Sequence, residues 1–223
     1  MSKKTAWASL DKVNSIVFQP GDKILFQGGG EWKGQLKPQG NGATDKPITM
    51  GAYGVGRPII NMEDAEGACI RLENQSWWTI EGMECTSGFQ PKEGIGRQGI
   101  VAVVKGEGNS EHITVRDNYI HDIYGMLGGS GDFTGYNSAA ILVQIQGGRY
   151  LSDANRTMSD VLIEVMSLDG RVCSNEFRVC RRGLFLTHCL GGCLRGFSFA
   201  VVRMVAPWLV VMGERLEVFF GGG

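Results

Sequence analysis

The sequence has no apolar run approaching twenty residues, so it offers no membrane-spanning helix. Its basic start, "MSKKTAWASL", is not followed by an apolar stretch, so the chain as given carries no secretory signal. Neither charge sign dominates: 22 Lys and Arg against 23 Asp and Glu leave a net charge of −1. That balance gives no reason to expect nucleic acid or an anionic membrane as partner. Proline is scarce, with 6 residues, and glycine never recurs by threes, which excludes collagen. Two-residue hairpin signals are also few. "NG" stands at 41–42 and "DG" at 169–170, and neither separates a clear strand pair.

What the sequence does have is glycine, 34 residues of 223, scattered as tight turns between short strands would need. The length is enough for one domain with a sizeable core. Ser9 is placed to cap a short helix whose Leu10, Val13 and Ile16/Val17 share one face. "QPGD" then turns into the strand "KILFQ", and "PITMGAYG" and "RPIINM" follow.

From residue 68 a loose repeat emerges. "ACIRLEN", "GIVAVVKG" and "AAILVQIQG", starting at 68, 99 and 139, form one set of strands. Each is followed by a member of a second set, "WTIEGMEC", "ITVRDNYI" and "VLIEVMSL". Two alternating sets with variable loops between them predict an all-β chain wound as a parallel solenoid. An antiparallel sandwich is the alternative, but it wants the hairpin turns that are missing. Within "EHITVRDNYIHDIYG" (111–125), Asn118 is expected at the corner between two strands of one coil, because Asn tolerates unusual backbone angles.

The segment "AWASLDKVNSIVFQPGDKILFQGGGEWKGQLKPQGNGATDKPITMGAYGVGRPII" and the coil "ITVRDNYIHDIYG" carry a family likeness. They resemble the N-terminal cap and coils of bacterial right-handed parallel β-helix proteins of the pectate-lyase-like superfamily. The likeness covers roughly residues 6–164. It implies a right-handed parallel β-helix with an N-terminal capping helix, and a secreted or periplasmic setting. Activity stays open, since that superfamily holds lyases, glycoside hydrolases and non-enzymatic adhesins. Its members usually carry a signal peptide and a further strand ahead of the cap, so the start here reads as trimmed.

Two segments are therefore expected: a β-helix over 1–165 and a divergent or aberrant 166–223. All nine Lys lie at or before Lys105, whereas seven Arg and four of the six Cys follow Val165. A reading-frame slip or truncation would explain that shift. The alternative is a divergent coil, for instance "NEFRVCRRGLFLTH", with an apolar cap. The six Cys fit unpaired thiols better than a disulfide, and a zinc site with His188 less well still, because "CLGGC" lacks paired metal spacing.

By the same resemblance, a polysaccharide or oligosaccharide would lie along the sheet built from the first strand set, and the protein would act as a monomer. Arg71 and Glu73 should point outward together, followed by Leu142, Gln144 and Gln146 on a later strand, with Lys105 ending the middle one. Glycan recognition wants aromatic platforms, amides, carboxylates and cations, which Phe133, Tyr136, Arg149, Gln144, Glu73, Lys105 and Arg71 supply. His121, Asp122, Arg71 and Asp132 are the candidate catalytic residues. A lyase needs a base and a cation for the uronate carboxyl, whereas a hydrolase needs two spaced carboxylates. Strand alternation predicts that His121 and Asp122 point to opposite sides and form no dyad. The turn Glu63, Asp64, Glu66 is the one place where Ca²⁺ could be held, with a solvated turn as the plainer reading.

Overall fold

The computed structural model describes residues 7–88, 96–106, 108–124, 139–146, 156–170, 177–180, 183–186, 194–205 and 208–212. The chain begins with one helical turn, α1 (Leu10–Asn14), whose Leu10 and Val13 are buried. The helix is shorter than its apolar pattern implied. Ile16 still packs against the core, but Val17 is 65% exposed and already belongs to a strand. Asn14 ends the turn by reaching into the first coil: its amide donates to the Gln35 carbonyl (2.9 Å), and its Oδ1 accepts the Lys37 N–H (2.6 Å).

Among the described residues, fourteen strands follow as far as residue 170. They are β1 (Val17–Phe18), β2 (Lys23–Gln27), β3 (Glu31–Lys33), β4 (Gln39–Gly40), β5 (Ile48–Tyr53), β6 (Ile59–Asn61) and β7 (Gly67–Glu73). Then come β8 (Trp78–Glu81), β9 (Glu84–Thr86), β10 (Arg97–Lys105), β11 (Gly108–Arg116), β12 (Tyr119–His121), β13 (Ala139–Gln146) and β14 (Arg156–Gly170). Every ladder among these fourteen is parallel. Parallel strands cannot be joined by tight hairpins, so each pairs with its counterpart one circuit later in the chain. The chain is all-β with parallel sheets, and the sandwich alternative does not hold over this region.

Three ladders carry inward columns of apolar side chains. In β7–β10–β13, Ile70, Ile100 and Ile141 are in register. In β5–β8–β11–β14, Ile48, Trp78, Ile113 and Val161 align, as do Met50, Ile80, Val115 and Ile163. In β3–β6–β9–β12, Trp32, Ile60, Cys85 and Ile120 align. Apart from Trp32, which is partly buried against it, all these side chains belong to one buried core. Each fully buried aliphatic side chain contributes about 1.5–3 kcal/mol of transfer free energy.

The corners differ from expectation in one respect. Asp117, not Asn118, holds the left-handed backbone (φ 49°). Asn118 is fully buried and works through its amide, accepting the Met83 N–H (2.9 Å) and donating to the Ile80 carbonyl (3.0 Å) of the preceding coil. Asn74 does the same for the next coil, bracketing the backbone N–H and carbonyl of Lys105, both at 2.8 Å.

Beyond β14 the pairing reverses. β15 (Phe177–Cys180), β16 (Gly183–Leu186), β17 (Leu194–Val205) and β18 (Trp208–Met212) make only antiparallel ladders, with β16 on β13 and β17 on β14. Within "NEFRVCRRGLFLTH" the described strands β15 and β16 pair antiparallel with each other. Only Arg181 and Arg182 separate β15 from β16, and so short a link permits an antiparallel pair alone. The expected boundary at 165 falls inside β14.

Candidate active site

The β9 and β12 strands present a line of polar side chains on their outer face. Tyr119 pairs in register with Glu84, and His121 stands two residues further on the same side. This brings His121 Nε2 to 3.1 Å from Glu84 Oε1. The Tyr119 ring stacks on His121 with centroids 4.5 Å apart and an interplanar angle of 19°.

Strand alternation would send Asp122 to the opposite side, yet His121 Nδ1 lies 2.9 Å from Asp122 Oδ2. The expectation of no dyad is corrected here, and the reason is local. β12 ends at His121, and Asp122 takes a left-handed backbone (φ 49°) that swings its carboxylate back beside the ring. Tyr124 Oη donates to the other carboxylate oxygen, Asp122 Oδ1, at 3.0 Å. The result is one hydrogen-bonded chain, Tyr124–Asp122–His121–Glu84. Its members are neither sealed nor free: the side chains of His121, Glu84 and Asp122 are 19%, 20% and 30% exposed. A neutral imidazole donates from one nitrogen only, so both ring contacts are hydrogen bonds when the ring holds two protons or a carboxyl holds one. Such a group is built to pass a proton.

The other sequence candidates sit elsewhere. Arg71 and Glu73 do share the outer face of β7, and they pair with each other, Arg71 Nε and Nη2 lying 3.0 and 2.8 Å from Glu73 Oε2. They stand on a different sheet from His121. The outer face beyond them is not the open polar strip that was expected. Val101, Val103 and Leu142 follow Arg71 and Glu73 in register and are buried with Ala68 and Ala139 in a second apolar cluster. Lys105 is exposed at the end of β10. Gln144 lies on β13, but its side chain is outside the described residues, as are Asp132, Phe133, Tyr136 and Arg149.

The acidic turn does not gather into a cation site. Glu63 reaches Lys33 at 2.6 Å, which raises the Lys33 pKa, and Asp64 lies 3.5 Å from Arg97. Among the described residues no three metal-ligating side chains converge. Cys69 and Cys85 are buried free thiols. A hydrogen bond to Cys69, whose own S–H donates to the Thr86 carbonyl, and then burial push the Cys85 thiol well above its ordinary range. His188, Cys173, Cys189 and Cys193 lie outside the described residues. Asp117 is structural, paired with Arg57 of an earlier coil at 2.7 Å.

Glu84 and Tyr124 were not singled out by the sequence reading. A signal for Glu84 was present: laying "WTIEGMEC" over "ITVRDNYI" already sets Glu84 opposite Tyr119. Tyr124 follows the last strand residue at no repeat position, so nothing in the pattern marks it.

The parallel-sheet fold is shared by solved structures of a lacto-N-biosidase. No family model matches the chain. Two crystal structures of the GH136 lacto-N-biosidase from Eubacterium ramulus superpose with TM-scores of 0.61 and 0.60. Both are 21% identical and cover 76% of this chain and 32% of that one. In sequence the chain is similar to a lacto-N-biosidase of Bifidobacterium longum subsp. longum, 24% identical over 179 residues. That match takes in 56% of this chain and 11% of that protein, so the chain spans only a fraction of either relative. An alginate lyase from a Paenibacillus species overlaps at a TM-score of 0.41.

Proposed function

We propose that the chain is a right-handed parallel β-helix segment, akin to the pectate-lyase-like proteins, of a secreted or periplasmic glycoside hydrolase acting as a monomer on an oligosaccharide. The relatives' names supply the reaction class, and the Tyr124–Asp122–His121–Glu84 chain is the observation that carries the reading. Asp122 fixes the imidazole through Nδ1. His121 Nε2 and Glu84 share the proton that passes to the glycosidic oxygen as the C–O bond breaks. Water attacks the sugar carbon and gives its proton to a second carboxylate, for which Asp132, eleven residues after His121 in sequence, is the candidate. Tyr119 offers an aromatic surface beside the scissile sugar. Arg71, Glu73, Lys105, Gln144, Arg149, Tyr136 and Phe133 are assigned to more distant sugar units.

A polysaccharide lyase is the second reading, favoured by one feature: an imidazole stacked on the Tyr119 phenol and held by Asp122 suits removal of a proton α to a uronate carboxyl. The test is incubation with a panel of neutral and uronate-containing oligosaccharides. New reducing ends without absorbance from unsaturated uronate support the hydrolase, and that absorbance supports the lyase. Binding without either product makes the chain a glycan-binding protein and removes the catalytic assignment. Where turnover is found, His121→Gln and Glu84→Gln should each lower it by about 10²–10⁴-fold. Unchanged rates in both variants would exclude this site.

A further inference from the structure

Ser87, on the coil preceding Asp122, is nine-tenths or more buried, yet it has no place in the reaction as described. Its hydroxyl donates to the Asp122 carbonyl at 2.8 Å and accepts the Tyr124 N–H at 2.9 Å. Its own N–H donates to the same Asp122 carbonyl at 3.2 Å. One residue thus grips the peptide groups on both sides of Ile123, immediately after the left-handed turn at Asp122. A non-glycine residue in that region is strained and persists where its surroundings hold it. Without the grip, β12 would be free to run on, and alternation would carry the Asp122 carboxylate away from His121.

We infer that Ser87 is a positioning residue for the site: it holds Asp122 in the turned conformation that aligns its carboxylate with His121 Nδ1. This rests on the reading of His121 as the working group. Arg97 supports the same arrangement from below. Fully buried, it donates from Nη1 to the Tyr124 carbonyl at 2.7 Å, tying the loop after β12 to the turn at Asp64 and Ala65. Among the described residues, the charged and titratable groups shown against His121 are Glu84 of β9, Asp122 and the Tyr119 phenol, with Tyr124 reaching Asp122 and the Asp169 backbone of β14 in register with His121.

The test compares Ser87→Ala, Ser87→Thr and Tyr124→Phe with the parent chain. The readout is the ring N–H and ¹⁵N resonances of His121, assigned by their loss in His121→Gln. Ser87→Ala should move or abolish the downfield Nδ1–H signal of the Asp122 hydrogen bond, and Ser87→Thr should restore it. On any glycan that is turned over, Ser87→Ala should lower kcat by about tenfold to a hundredfold with KM little changed. Should Ser87→Ala fail to fold, Tyr124→Phe removes the phenol bond to Asp122 Oδ1 and should shift the same resonance. An Nδ1–H signal identical to the parent's in Ser87→Ala, or in Tyr124→Phe where that variant stands in, overturns the inference. A changed signal in a chain that cleaves no glycan would leave Ser87's role standing while removing the proposed function.

Discussion

At Asn118 the side-chain amide replaces two ladder bonds that the turning backbone cannot make, one to Met83 N–H and one to the Ile80 carbonyl. Asn118→Ala leaves both groups buried and unmet, which should cost about 2–4 kcal/mol in urea unfolding. Asn118→Asp should lose a similar amount, since a carboxylate cannot donate to the Ile80 carbonyl. The sequence pointed to this residue for its backbone tolerance, whereas the left-handed angle falls one position earlier, on Asp117. Composition marks a corner well but does not say which residue bends and which one bonds. Cys85 gives a prediction with a definite sign. Its thiol is raised well above 9.0 in the folded chain by the Cys69 hydrogen bond and burial. Above the ordinary thiol pKa the unfolded chain releases a proton that the folded chain keeps. Stability from this group is therefore whole below about pH 9 and falls as the pH rises above it. Cys85→Ala should flatten the alkaline limb of a stability–pH curve, and a limb of unchanged slope would contradict the account.

Among the elements, β7, β10 and β13 were legible because β-branched residues recur at matching places in three segments. What the outer face of that sheet does was also written in the sequence, but in a different signal. "IVAVV" in β10 is a continuous apolar run, the mark of a strand buried on both faces, and Val101 and Val103 are indeed buried outside the main core. Reading the run as simple alternation is what led to an open glycan strip. Tight packing at the start of β10 also makes Gly99 a sensitive position. A Cβ there would meet the Ala140 carbonyl of the neighbouring β13 at 2.5 Å and Ile120 Cγ2 of β12, in the other sheet, at 2.6 Å. Gly99→Ala should therefore destabilise the chain by about 1–3 kcal/mol, visible as a lower urea midpoint with unchanged slope. The His121–Asp122 contact escaped the sequence reading because alternation was carried one residue past the end of β12. Strand ends are where period-two reasoning stops, and the candidate site sits on such an end.

In the molecule as a whole, the parallel stack decides which residues become neighbours. Glu84 and His121 are far apart in sequence yet adjacent across one ladder spacing, and so are Ser87 and Asp122. The register of those coils followed from apolar columns that the sequence displays openly. The antiparallel strands from residue 177 onward did not follow, since their segments show little of the Asn and Asp corner pattern that set the earlier beat. A crystal soaked with a neutral oligosaccharide tests the central claim most directly. The account predicts sugar density over Tyr119, with a glycosidic oxygen within hydrogen-bond reach of Glu84 and His121. Density that instead sits only against Arg71 and Glu73, or none at concentrations that saturate turnover, would contradict it.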